Sequence, residues 1–195
     1  MDSHTHVWLR KAESDRRELL ECVEAVPLER IYVSGIPGYH PTVEEVRAVN
    51  DEVRLFLDAC PVARGQVYLN PALEPQVLDE FQRCVDLGFC GVKLWMATRA
   101  SDPRNFPIYE AAIERSIPVL LHCFEFAFEH APNQSNAVDF RDAAMRYPEC
   151  TFIMAHMSGR FVTGVEAAVG LPNAYVDLCG TYGELAMVDY AVEKL

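Results

Sequence analysis

No stretch of this chain holds the roughly 20 consecutive apolar residues that a membrane-crossing helix needs, and no basic segment followed by an apolar run opens it. A membrane partner is therefore not expected, and a cytoplasmic location is. Clusters of Lys and Arg are missing as well. With a formal net charge of -12, most of the surface repels a phosphate backbone, so nucleic acid is excluded as a partner. The seven cysteines (Cys22, Cys60, Cys84, Cys90, Cys123, Cys150 and Cys179) contain no CxxC pair. Their odd number argues against a complete disulfide framework, and several sit in apolar runs where a free thiol packs as a small hydrophobe, which fits a reduced cytosol. Pro-, Gly- or Ser-rich linkers are absent too, so residues 1–195 read as one domain.

Short β-rich runs alternate with helical patterns. The runs are HTHVW after Asp2 and Ser3, IYVSGI (31–36), QVYLN (66–70), CGVKLW (90–95), PVLLHCF (118–124), TFIMAH (151–156) and AYVDLCG (174–180). Between the second and third, Val43, Val46, Val49, Val53 and Phe56 recur at helical spacing, and Thr42 with Glu45 makes a capping box at the start. Further helices are expected near 14–25, 75–87, 107–115, 136–146, 162–169 and 183–195, with Gly88 ending the one at 75–87 in a left-handed turn. Apolar strands each followed by a helix indicate an α/β fold with a parallel sheet. No Gly-rich dinucleotide turn follows the first strand, which favours a closed barrel over an open sheet.

Strand alternation points Asp2, His4 and His6 to one side, and two imidazoles at that spacing reach one ion. His122 closes VLLH and His156 closes FIMAH, each at the C-terminal end of a strand, where reactive groups gather in α/β folds. A single histidine ending an apolar strand is more often a satisfied core residue than a ligand. Four of the six histidines at strand ends carry more weight, and they converge if strands one, five and six ring a common axis.

DSHTHVW, GFCGVKLW (88–95), IPVLLHCF (117–124), FIMAHMSG (152–159) and NAYVDLCGT (173–181) together resemble, in order and spacing, the amidohydrolase-related family. That family comprises metal-dependent TIM-barrel hydrolases, with relatives that decarboxylate aromatic or amino-muconate acids. The resemblance implies a (β/α)8 barrel with seven βα units and no eighth strand, because the sequence closes on Val192-Glu193-Lys194-Leu195 where the family continues into a strand ending in aspartate. On that basis a C-terminally truncated barrel domain is expected, with two unpaired edges that leave room for a homo-oligomer.

The resemblance also implies the site. His4, His6 and His122 hold a divalent metal, zinc or else manganese. His156 is a further ligand or the catalytic group that orients water and stabilises an oxyanion. Asp177 is a catalytic candidate, either replacing the carboxylate of the eighth strand or supporting the site from behind it. Lys93 occupies the end of strand four, where some barrel amidohydrolases carry a carboxylated lysine, and is expected as a substrate-side cation. Trp95, Tyr39 and His40 are expected to line the pocket, Arg160 to hold a substrate carboxylate, and His130 to be solvated. The expected activity is hydrolysis of a small-molecule amide, ester or lactone by a metal-activated water. The alternatives are non-oxidative decarboxylation and an inactive fragment that retains metal binding.

Overall fold

The computed structural model describes residues 1–126, 131–180 and 185–195. Contacts divide the chain into two compact units, Met1–Gly91 and Val92–Leu195.

In the first unit, β1 (Asp2–Trp8), α1 (Ala12–Ala25), β2 (Ile31–Ile36), α2 (Val43–Ala59), β3 (Ala63–Leu69) and α3 (Val77–Asp86) alternate. The strands are parallel and in sequence order, with His6 opposite Ser34 and Ser34 opposite Gln66. α2 forms where the valine period predicts it. Thr42 Oγ1 accepts from Glu45 N–H at 3.2 Å and Glu45 Oε2 accepts from Thr42 N–H at 2.9 Å, closing the capping box. Val46, Val49, Val53 and Phe56 are buried, whereas Val43 is half-buried at the helix entry. Gly35 lets β2 approach this face, since a Cβ there would stand 2.6 Å from Val49 Cγ2. Gly88 ends the segment after α3 with φ +92°, the left-handed conformation its sequence position implies.

The apolar face of α2 carries one polar residue, Asn50, only 1% exposed. Its Nδ2 donates to Tyr68 O at 3.0 Å and Glu80 Oε1 at 2.8 Å, and its Oδ1 accepts from Tyr68 N–H at 2.9 Å. One amide thus satisfies the backbone of β3 and ties it to α2 and α3.

The second unit contains β4 (Gly91–Leu94), α4 (Phe106–Arg115), β5 (Val119–Leu121), α5 (Ala137–Arg146), β6 (Phe152–Met154), α6 (Phe161–Ala168), β7 (Ala174–Val176) and α7 (Leu185–Lys194). These strands are also parallel and sequential: Val92 pairs with Val119, Val119 with Phe152, and Phe152 with Ala174. Phe152 packs on Tyr109 of α4 and Phe140 of α5, with ring centroids 4.9 and 6.4 Å away. That face of the sheet is the helix-covered core. Lys93, Leu120 and His122 fall on the opposite face by alternation.

The strands of this unit are shorter than the apolar runs that mark them. β5 stops at Leu121, β6 at Met154 and β7 at Val176, so His122, His156 and Asp177 lie just beyond strand ends. The expected helix at 183–195 is seen from Leu185, its first two residues lying outside the described ones, as does His130. No described helix is long and apolar enough to cross a membrane.

Replacing Asn50 with alanine strands buried Tyr68 backbone groups, and the expected loss is about 2–4 kcal/mol in urea unfolding followed by circular dichroism. Asp51→Ala removes an exposed carboxylate that pairs with Arg83 and should cost less than about 1 kcal/mol.

Candidate functional site

The first unit contributes an imidazole pair. His4 and His6 leave the same face of β1 and their Nε2 atoms stand 2.9 Å apart. Two nitrogens bound to one tetrahedral zinc at about 2.0–2.1 Å are about 3.3 Å apart, so a small adjustment seats both on one ion. His6 Nδ1 lies 2.8 Å from Ser34 Oγ on the neighbouring strand. Asp2 does not continue the row. The register slips between Asp2 and Thr5, and the Asp2 carboxylate turns back to accept the His4 backbone N–H at 3.1 Å. Tyr39 and His40 sit exposed in the loop before α2.

The second unit gathers His122, His156, Asp177 and Lys93. His122 takes its place because its N–H donates to Leu94 O at 3.0 Å, continuing the ladder one residue past β5. Its Nε2 lies 3.3 Å from Gln134 Oε1, an oxygen oriented by the two donations of Gln134 Nε2 to Phe124 O and Phe126 O. The His122 ring has Trp95 and Phe124 at 6.4 Å and His156 at 5.0 Å between centroids.

His156 does not close strand β6, as its run in the sequence implies. It opens a left-handed turn in which His156, Met157 and Ser158 have φ +62°, +44° and +60°, followed by Gly159 at +72°. Each such non-glycine residue costs on the order of 1–3 kcal/mol, so the surroundings must impose the turn. Four contacts do so. Asp177 Oδ1 accepts the His156 N–H at 2.8 Å. Ser158 O accepts the Glu125 N–H at 2.9 Å. Gly164 of α6 makes room for Met157 O, which a Cβ would meet at 2.1 Å, and Gly159 lies against Phe124, which a Cβ would meet at 2.9 Å.

The turn directs the His156 ring so that Nδ1 lies 3.1 Å from Cys179 O. A carbonyl only accepts, so Nδ1 carries the proton and Nε2 the lone pair. Asp177 Oδ1 also accepts the Cys179 N–H at 3.1 Å. His156, Asp177 and Cys179 each offer a ligand atom within 4.8 Å of the others. Cys179 escapes sequence reading because nothing distinguishes its thiol from the packed ones. Ser34, Gln66 and Gln134 escape it because uncharged polar residues inside strands and loops carry no motif.

Burial pushes the His156 imidazole below its ordinary pKa, Lys93 adds to this, and Asp177 opposes it. Burial raises the Asp177 carboxyl, against the pull of the two N–H donors and Lys93. Lys93 is fully buried, and desolvation lowers its pKa to about 8 despite Asp177, Cys179 and Cys123 nearby. Arg160 is exposed, 3.4 Å from Glu125 Oε2 and 5.3 Å over the Phe126 ring.

A lysine whose folded pKa lies below its unfolded value binds fewer protons in the folded state between the two. Stability from Lys93 should therefore rise with pH between about 8 and the ordinary lysine value near 10, by on the order of 3 kcal/mol. Urea midpoints of wild type and Lys93→Met across that range measure it, and only the wild type should gain. Gly164→Ala should displace the left-handed turn, costing about 1–3 kcal/mol and shifting the His156 ring resonances in NMR spectra.

The amidohydrolase family model Amidohydro_2 matches residues 1–193. Comparison with curated proteins gives no match. Solved structures resemble the chain in fold. A dihydroxybenzoic acid decarboxylase from Polaromonas sp., with bound manganese and the inhibitor 2-nitroresorcinol, has TM-score 0.70 and 16% identity, over 100% of this chain and 83% of that one. A 2,6-dihydroxybenzoate decarboxylase complexed with 2,6-dihydroxybenzoate has TM-score 0.66 and 18% identity, over 90% and 72%. An uncharacterised TIM-barrel protein from Bordetella bronchiseptica has TM-score 0.66 and 18% identity, over 93% and 67%. The fold is the TIM-barrel type, represented among the described residues by seven βα units. With a family match that runs almost from end to end, the chain belongs to the amidohydrolase family.

Proposed function

We propose that this protein is a metal-dependent hydrolase that opens a small-molecule amide, ester or lactone. The observation that carries the reading is the pair of imidazole Nε2 atoms 2.9 Å apart on β1, a spacing suited to one divalent cation. His4 and His6 would hold the ion, and the order of motifs in the family supports His122 as a third ligand. Imidazole donors suit zinc first, with manganese, which one fold relative binds, as the alternative. When bound, such an ion lowers the pKa of a water and polarises a carbonyl.

The chain's own residues manage the proton. His156, held toward its neutral form by burial and with its Nδ1–H committed to Cys179 O, has Nε2 suited to accept the proton of the attacking water and return it to the leaving group. Asp177 acts through the His156 and Cys179 backbone and is a positioning residue. Lys93, buried and close to the charge of Asp177, is suited to a negatively charged substrate group, and Trp95 beside His122 to an apolar or aromatic one. None of the seven cysteines is joined in a disulfide, which supports a reducing cytoplasmic location.

A second reading, decarboxylation of an aromatic acid, is favoured by the dihydroxybenzoate decarboxylases among the fold relatives. There His156 would have to deliver a proton to carbon, a role its lowered pKa opposes. Product analysis with the metal-loaded protein separates the two: an opened lactone or amide supports the hydrolase, and carbon dioxide from a dihydroxybenzoate supports the lyase.

His4→Ala and His6→Ala should each abolish stoichiometric metal in elemental analysis. His156→Asn should keep the metal and lose at least about 100-fold in turnover. Loss of metal in His156→Asn would make His156 a ligand and remove it from the proton's path.

A further inference from the structure

β1, β2 and β3 bring His6, Ser34 and Gln66 to one level, each opposite the next, so the three side chains leave the sheet on the same face. Ser34 is fully buried and Gln66 is 2% exposed. Gln66 Nε2 donates to Ser3 O at 3.4 Å, which sets the amide orientation, because the exchanged amide would set two oxygens against each other. Gln66 Oε1 is then left buried without a hydrogen-bond partner among the described residues. An acceptor in that state costs about 1–3 kcal/mol. The donor that the strand register brings opposite it is the Ser34 hydroxyl.

We propose that Ser34 and Gln66 form a relay that sets the tautomer of His6. His6 Nδ1–H donates to Ser34 Oγ. The Ser34 hydroxyl hydrogen turns toward Gln66 Oε1 through one buried water, and the His6 Nε2 lone pair is presented to a cation. The direction follows from valence. A hydroxyl has a single hydrogen, and if Gln66 receives it, Oγ can only accept from His6, so the ring proton must sit on Nδ1. If His6 receives it, Gln66 Oε1 stays unmatched and Nε2 carries the ring proton, which bars that atom from a metal. His4 Nε2–H is then the donor across the 2.9 Å contact in the metal-free protein. Ser34 and Gln66 are positioning residues and do not touch the ion. The inference rests on the metal-dependent reading for its purpose, but it concerns a proton that is present without any ion.

Ring 15N NMR of the metal-free 195-residue chain near pH 8 tests it, with zinc affinity by chelator competition as a second readout. Wild type should show His6 protonated at Nδ1. Ser34→Ala should give mixed tautomers, Ser34→Thr should restore the wild-type form, and Gln66→Leu should shift His6 toward the Nε2–H form. Zinc affinity should fall about 10- to 100-fold in Ser34→Ala and stay within about 3-fold in Ser34→Thr. If Ser34→Ala does not fold, Gln66→Leu carries the same tautomer readout. An Nε2–H tautomer for His6 in wild type, or a tautomer indifferent to both substitutions, overturns the relay. If the Nδ1–H tautomer depends on Ser34 while wild type takes up no zinc, the relay stands and the metal-dependent reading fails. If wild type binds zinc through His6 and the tautomer ignores Ser34, the relay alone fails.

Discussion

At the end of β7 the Asp177 carboxylate accepts the backbone N–H groups of both His156 and Cys179, and that shared acceptor decides where the His156 ring lies. Without it, three successive non-glycine residues in the left-handed region would have little reason to stay there. With it, the chain leaves β6 abruptly, and the His156 ring meets Cys179 O through Nδ1. The cost of that backbone is offset by a carboxylate that also escapes being an unpaired buried charge. Gly164 and Gly159 give the turn room, and neither has functional chemistry of its own.

The same constraint, that a buried polar group needs a partner, organises the other places of interest. Asn50 satisfies both backbone groups of Tyr68 and reaches α3. Gln134 fixes its amide on two carbonyls and so presents an oxygen to His122. Ser34 meets the far nitrogen of His6. In the last two cases an uncharged side chain sets the orientation of a histidine ring. Charged residues near the site play a different part: Lys93 and Asp177 are both buried and displace each other's protonation equilibria.

Much of the fold was legible along the chain. β2 occupies the six residues of IYVSGI, the capping box of Thr42 and Glu45 opens α2, and Gly88 has its positive φ, because these features depend on neighbours within a few residues. β3 begins three residues before the expected run, since Ala63, Arg64 and Gly65 pair with β2 although their types carry little strand preference. β5, β6 and β7 stop short of their apolar runs because pairing ends where the chain turns off into the site. The family was legible as well, through the order of five motifs spread along the chain.

The sequence by itself determined the alternation of strand and helix, the pairing of His4 with His6 on one face, and the presence of histidines after β5 and β6. All of these follow from the periods of strand and helix and from residue type. Only the tertiary structure decided which ring nitrogen of His156 carries the proton, that Asp177 acts on backbone N–H groups, that Asp2 turns away from the histidine row, and that Lys93 is wholly enclosed. Those outcomes depend on donors, acceptors and solvent exclusion contributed by residues far apart in the chain, and no local pattern encodes a partner that distant.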